Sequence, residues 1–94
     1  MNFNKVLKAL RTANTKKFHR NSWSGGKYIV LMTERCIEEC LMTPDTGAIL
    51  GVPPTRGYKI RPFFLIKTKY DYEFTIYNPS YEDLSGYDWE EKAV

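Results

Sequence analysis

The sequence predicts an α+β fold, in which a short N-terminal helix packs on a twisted antiparallel β-sheet in a single small domain. Apolar side chains recur at helical spacing in residues 3–12, and β-branched and aromatic residues dominate 28–31 and 63–77. Turn-forming residues separate these segments. Because 94 residues leave room for only one core, we expect one domain over 1–94.

The helix is predicted at about residues 3–12. Asn2 is suited to cap its first turn, and Asn14 is suited to end it. The apolar residues follow the i, i+3, i+4, i+7 pattern and form one stripe: Phe3, Val6, Leu7 and Leu10. The lysines and the arginine between them fall on the opposite side, which we interpret as a solvated basic face.

Extended structure is predicted in four places. We expect an extended segment at 16–20, a mostly buried strand at 27–32, a hairpin over 63–77 with a polar turn at Tyr70-Asp71, and a last strand at 87–90. In the last strand, alternation predicts that Tyr87 and Trp89 share one face. Ser80 and Asp83 have the spacing of a capping box, which predicts a short helical turn after them.

The middle of the chain is the least regular part. We expect 33–57 to be an irregular, variable insert, with a helical turn or two in 33–42 and a short strand at 48–50. Pro53 and Pro54 cannot donate ladder hydrogen bonds, so the loop around them is predicted to stay outside the sheet. The tail, 91–94, is predicted to be frayed.

Charge is distributed unevenly along the chain. Residues 1–35 contain eight Lys or Arg and one acidic residue, whereas 36–94 contain six Lys or Arg and ten acidic residues. A basic front half suggests an anionic partner, or the acidic half of a neighbouring copy. No apolar run approaches the length needed to cross a bilayer, and no signal peptide is recognisable. We therefore expect no membrane partner and a cytoplasmic location. The net charge of +3 is lower than a duplex-DNA protein usually carries, and we expect no nucleic-acid partner.

Catalytic and metal-binding chemistry is poorly supported. His19 is the single histidine, and Cys36 and Cys40 with it match no common metal signature. Asp83 and Asp88 would be a conceivable carboxylate pair, but Asp83 already has a capping role. We expect no metal, no cofactor and no enzymatic activity.

Binding is better supported, and it centres on the loop that carries Trp23. Flat rings, forked arginines and directional polar groups suit a base or a phosphate. The candidate ligand-binding residues are Arg20, Asn21, Trp23, Gly25, Arg61, Phe64, Tyr77, Asn78, Ser80 and Asp83. Each also has a structural interpretation: Trp23 would plug the end of a small core, Arg61 would brace a strand, and Tyr77 would be a core residue.

The free energies involved in binding favour a site shared between subunits. One aromatic stack on a base contributes about 1–3 kcal/mol, whereas a nanomolar complex needs a net of about −12 kcal/mol. Further free energy is lost in immobilising the ligand. A tight nucleotide site therefore needs rings and arginines from more than one element, and we expect them to come from more than one subunit.

Several blocks of the chain resemble the Thoeris anti-defence 2-like domain family. They comprise an N-terminal Phe3…Ala9-Leu10 helix, Arg20-x-x-Trp23-Ser24-Gly25 leading into Tyr28-Ile29, then Arg61-Pro62 and Lys67, and finally Ser80-x-x-Asp83-Leu84-x-x-x-Asp88-Trp89. The resemblance covers nearly the whole chain except about 33–57.

This resemblance implies a sponge that binds cyclic nucleotide immune signals without cleaving them and assembles as a homotetramer, with pockets between subunits. The signals are cyclic ADP-ribose isomers and, in some members, the cyclic dinucleotides of CBASS immunity. Trp23 would stack on a purine in a loop shaped by Arg20, Asn21 and Gly25. Ser80 and Asp83 would form the opposite wall, and Arg61 would either meet phosphate or brace the pocket.

One position departs from the family pattern. The family usually has Trp before the Ser-x-x-Asp block, and here that position is Tyr77.

Three other functions stay open from the residues alone. The first is a single-stranded nucleic-acid binder that uses exposed aromatics and the basic front half, the second a small phosphodiesterase, and the third an interaction module without a small ligand.

Overall fold

The computed structural model describes residues 1–13, 15–35, 37, 49–51, 59–68 and 73–92. Their elements, in chain order, are α1 (Phe3–Thr12), β1 (Phe18–Arg20), β2 (Ile29–Met32), β3 (Phe63–Lys67), β4 (Phe74–Ile76), α2 (Tyr81–Ser85) and β5 (Trp89–Glu91). The strands form one five-stranded sheet in the order β4-β3-β2-β1-β5. The predicted α+β class, a short N-terminal helix with an antiparallel sheet, is confirmed.

Helix α1 has the predicted boundaries and a polar cap. The Asn2 side chain accepts a hydrogen bond from the Lys5 amide at 3.0 Å, which satisfies one of the free donors of the first turn. Ala13 closes the last turn by donating to the Ala9 carbonyl. Asn14, the predicted stop, lies outside the described residues. Phe3, Val6 and Leu10 are buried, as the apolar stripe predicts.

The sheet is held by three described antiparallel registers. Phe18 pairs with Ile29 across β1 and β2, and Arg20 pairs with Trp89 across β1 and β5. Leu65 pairs with Ile76 across β3 and β4, which confirms the predicted hairpin. Its turn, 69–72, lies outside the described residues.

The core fills the space between α1 and one face of the sheet. Its buried members are Phe3, Val6, Leu10, Phe18, Ile29, Tyr77 and Trp89. Trp89 is the largest fully buried side chain among the described residues, with 1% of its surface exposed. A ring of this size contributes more buried apolar area than any aliphatic neighbour, so it dominates the packing of so small a core.

The end of the chain differs from the prediction in two respects. Tyr87 does not share a face with Trp89, because β5 begins only at Trp89 and Tyr87 is 80% exposed before it. Glu91 and Lys92 are not frayed, since Glu91 is the last residue of β5 and the Lys92 amide donates to the Lys17 carbonyl at 2.8 Å. Residues 93 and 94 lie outside the described part of the chain.

By its internal contacts, the chain divides into two units: Met1–Leu31 with Phe63–Val94, and Met32–Pro62. The first unit contains the core described above. In the second, the Ile37 amide donates to the Thr33 carbonyl at 3.0 Å, which is the predicted helical turn. Ile49 and Leu50 are helical and exposed, so the strand predicted at 48–50 is wrong for these two residues.

Candidate functional site

The loop that carries Trp23 is anchored through its backbone. It leaves β1 at Arg20, whose carbonyl accepts a hydrogen bond from the Trp23 amide at 2.9 Å. The Asn21 amide donates to the Asp88 carbonyl at 2.9 Å, and the Ser22 amide donates to Asp88 Oδ2 at 3.3 Å. The first three loop residues are therefore tied to β1 and to the residue that precedes β5.

The same loop turns back through two glycines. Gly25 and Gly26 have φ angles of 74° and 70°, in the left-handed region that disfavours residues with a Cβ. Two consecutive residues of positive φ suit the tight turn that returns the chain to β2. The backbone of this turn therefore requires both glycines, whether or not a ligand approaches Gly25.

The Trp23 side chain rests against the aromatic end of the core. Its ring centroid lies 5.2 Å from that of Trp89 and 6.0 Å from that of Tyr77, in edge-to-face geometry in both cases. Phe3 extends the cluster on the other side, at 5.2 Å from Trp89. Such pairs stabilise each other beyond their buried area. Trp23 is only half-buried, so part of the indole remains exposed to solvent.

The Arg20 side chain links β1 to α2 and to the residue that precedes β5. Its Nε donates to Asp88 Oδ1 at 2.8 Å, and its Nη1 donates to Asp83 Oδ1 at 3.1 Å. The Arg20 and Asp83 side chains are only 16% and 14% exposed, so this ion pair is largely but not completely shielded from solvent. Gly86 makes room for the guanidinium, because a Cβ at that position would lie 2.9 Å from Arg20 Nη2.

Asp83 has the most hydrogen-bond partners of any side chain in the network. Besides Arg20, it accepts a hydrogen bond from the Tyr77 hydroxyl at 2.8 Å and one from the Ser80 amide at 3.4 Å. Ser80 Oγ in turn accepts from the Asp83 amide, which confirms the predicted capping box. The Trp89 indole N–H donates to the Asp83 carbonyl at 2.9 Å. The first turn of α2 is thus fixed to the core by two groups of Asp83: its carboxylate, which binds Tyr77 and Arg20, and its backbone carbonyl, which binds Trp89.

These contacts change the pKa of four groups, and the hydrogen bond to Asp88 is the main cause of the raised pKa of Arg20. Burial would raise the pKa of Asp83, but the hydrogen bonds from Tyr77 and Arg20 outweigh it and hold that pKa below its usual value. The hydrogen bond from Arg20 lowers the pKa of Asp88. Burial raises the pKa of Tyr77, and its hydrogen bond to Asp83 adds to the increase. The network therefore holds two carboxylates ionised and the phenol neutral.

Stability should depend on pH at both extremes. Groups whose pKa is lowered by folding lose their contribution as pH falls, whereas Tyr77, whose pKa is raised, loses its contribution as pH rises. We therefore expect the free energy of unfolding to fall below about pH 4 and above about pH 10. Urea unfolding across this range checks the prediction, with Asp88→Asn as the control, since its loss on the acid side should be smaller. An identical acid limb in both proteins would contradict it.

Five of the predicted site residues lie together in the first unit: Arg20, Trp23, Tyr77, Ser80 and Asp83. Tyr77 is only 8% exposed, so it is chiefly a core residue. Asn21, Gly25 and Asn78 are exposed.

The side chains of the remaining two predicted residues, Phe64 and Arg61, take no described part in the network of Arg20 and Asp83. Phe64 packs on the core, with its ring centroid 6.2 Å from that of Phe3, and its backbone carbonyl accepts a hydrogen bond from the Tyr77 amide. Arg61 is exposed and belongs to the second unit. Ligand contacts by these residues remain a prediction.

Two residues of the site, Asp88 and Trp89, are not among the predicted ligand-binding residues, although both belong to the sequence block that carries the family resemblance. The available signal was the charge pattern, because two carboxylates five residues apart, at 83 and 88, flank a short turn and suit one forked guanidinium. A buried Trp also requires an acceptor for its N–H, and the capping turn provides one.

Among the described residues, no three His, Cys, Asp or Glu side chains are grouped so that they could hold a metal ion, and Cys36 and Cys40 lie outside this part of the chain. An open groove of ≈ 320 Å³ runs along the basic side of α1, lined by Lys5, Lys8, Ala9, Thr12, Ala13 and Lys16. In the described part of the chain, we find no helix that is long and apolar enough to cross a membrane.

The fold and the site define a small α+β domain in which a half-buried tryptophan stands on a loop anchored by an arginine–carboxylate network. The chain belongs to the Thoeris anti-defense 2-like domain family, whose model matches residues 1–91. This membership confirms the resemblance of the sequence blocks and assigns the chain to phage anti-defence in general. No curated protein matches the chain significantly.

Proposed function

We propose that this protein binds and sequesters a cyclic nucleotide immune signal, a cyclic ADP-ribose isomer or a cyclic dinucleotide, and so prevents activation of the host effector. The observation that carries the proposal is the half-buried Trp23 ring on its anchored loop. An aromatic face already held in place loses little conformational entropy when a base stacks on it. The family's anti-defence role supports the choice of an immune signal, which would be met in the host cytoplasm.

The network supports holding the ligand rather than cleaving it. A general acid or base needs a pKa near the working pH, but Asp83 and Asp88 have lowered pKa values and both accept hydrogen bonds from Arg20. We therefore propose that these carboxylates position the Trp23 loop and are not catalytic. For a sequestering protein, slow dissociation of the intact ligand is sufficient for function.

A second copy of the chain is proposed to complete the pocket. Arg20 and Asp83, the strongest polar candidates beside Trp23, are already engaged with each other, so a phosphate needs donors from elsewhere. Three large apolar side chains on α2 or just after it are exposed and suited to self-association: Tyr81 at 83%, Leu84 at 53% and Tyr87 at 80% exposure. We propose a homo-oligomer, most simply the tetramer that the family resemblance implies.

Replacing Trp23 with alanine should weaken binding by about 5- to 150-fold, the equivalent of the 1–3 kcal/mol of one aromatic stack. Calorimetric titration of the wild type against a panel of cyclic ADP-ribose isomers and cyclic dinucleotides, followed by the variant with the ligand that binds, measures this effect. Trp23→Phe is the matched control, because it keeps a ring and should retain part of the affinity. Equal affinity of wild type and Trp23→Ala would refute the assignment of Trp23, and a wild type that ignores the whole panel would refute the function.

A further inference from the structure

Two lysines face each other on the side of the sheet away from the core. Phe18 pairs with Glu91, so the next residues, Lys17 and Lys92, are directly opposite, and the Lys92 amide donates to the Lys17 carbonyl. Side chains alternate along a strand, and Phe18 is buried, so Lys17 projects to the other face. Like charges directly opposite each other destabilise an antiparallel pair. The fold therefore maintains an electrostatically unfavourable arrangement at this position.

Both ammonium groups converge on one aromatic ring. Lys17 Nζ lies 5.8 Å from the centroid of Tyr28 and Lys92 Nζ lies 5.2 Å from it. Lys92 Nζ also donates to the Gly26 carbonyl at 3.4 Å, and the Tyr28 and Phe74 rings make an edge-to-face contact with their centroids 6.2 Å apart. Cation–π contacts with a half-buried ring near the surface are weak, at about 0.5–1 kcal/mol each, and they offset the repulsion only in part.

Neither lysine has a carboxylate partner within 4.0 Å among the described residues. The adjacent Lys16, by contrast, pairs with Glu91 at 3.1 Å. The chain thus places an acidic partner beside Lys16 and leaves the converging pair for an anion from outside. Two strongly hydrated point charges on flexible stems suit a phosphate group, which accepts several hydrogen bonds at once.

We propose that Lys17, Tyr28 and Lys92 form a phosphate-binding site separate from the Trp23 loop. The Tyr28 ring already contacts the two ammonium groups and the Phe74 ring, so the site recognises the phosphate and not a base. The phosphate belongs either to a small free anion or to a nucleic-acid strand, and both sources present the same chemistry.

Two probes at constant ionic strength distinguish these sources: inorganic pyrophosphate and a short single-stranded oligothymidylate. We expect at least one of them to raise the Tm of the wild type, and Lys17→Gln and Lys92→Gln each to weaken its binding by about tenfold. Lys16→Gln is the matched control and should bind like the wild type. Binding of pyrophosphate alone assigns a small anion, whereas binding of the oligonucleotide alone assigns a strand.

A charge reversal separates the proposed site from a purely structural role. Lys92→Glu places opposite charges across the strand pair, so we expect a higher Tm without any anion, together with loss of anion binding. The proposal is overturned if neither probe binds the wild type, or if Lys17→Gln and Lys92→Gln bind the probes as tightly as Lys16→Gln does.

Discussion

Replacing Trp89 with alanine is expected to cost about 3–5 kcal/mol, enough to unfold much of the population of so small a domain. Trp89 is fully buried, its ring contacts both Phe3 and Trp23, and its indole N–H donates to the Asp83 carbonyl. The substitution leaves a cavity between α1 and the sheet and an unpaired carbonyl at α2. Urea unfolding followed by far-ultraviolet circular dichroism measures the loss.

Two control variants separate packing from hydrogen bonding. Trp89→Phe keeps most of the ring but lacks the N–H, so it should cost about 1–3 kcal/mol. Ile49→Ala, an exposed apolar residue at 84% exposure outside the core and the site, should change stability by no more than about 0.5 kcal/mol. If Trp89→Ala unfolds at the same urea concentration as Ile49→Ala, the core is not organised around Trp89.

Replacing Arg20 with methionine should cost about 2–4 kcal/mol, less than a fully buried ion pair because the site is partly open to water. The variant leaves the largely buried Asp83 carboxylate without the guanidinium that neutralises it, and it removes the ion pair that joins β1 to α2. Arg20→Lys keeps the charge but cannot form the fork, so we expect an intermediate loss. Unfolding midpoints of both variants measure the effect.

Arg11 provides the matched control for Arg20, because it is an exposed arginine on α1. Arg11→Met should unfold at nearly the wild-type midpoint. Because Arg20 also anchors the Trp23 loop, Arg20→Met should weaken ligand binding even under conditions in which it is folded. Equal stability of the Arg20 and Arg11 variants would show that the network does not hold the site together.

The parts of the fold that local sequence determines were predicted well. Helix α1 has its expected ends because Asn2 caps it and its stripe repeats at 3.6 residues. The capping box of Ser80 and Asp83 is equally local, since both hydrogen bonds form within four residues. Near the chain end, alternation suggested that Tyr87 and Trp89 share a face. The structure differs there because Asp88 binds Arg20 and the strand starts after it.

The roles of polar side chains depended on contacts that the sequence does not reveal. Arg20 was predicted as a donor for a ligand because a forked guanidinium suits phosphate. In the structure, two of its nitrogens donate to Asp83 and Asp88, which are 63 and 68 residues away in sequence. Residue type indicates what a group can bind, but only the fold shows whether a partner within the chain already occupies it. Tyr77 is a similar case, since its hydroxyl donates to Asp83.

The most direct test of the account follows the fate of the ligand. The protein is mixed with the cyclic nucleotide that it binds, free ligand is removed by ultrafiltration, and the retained protein is denatured to release what it holds. We expect chromatography and mass spectrometry of the released material to recover the same cyclic nucleotide, chemically intact and in stoichiometric amount. Recovery of a linear or hydrolysed product, or retention of no nucleotide at all, would contradict the proposal that this protein acts by holding its ligand.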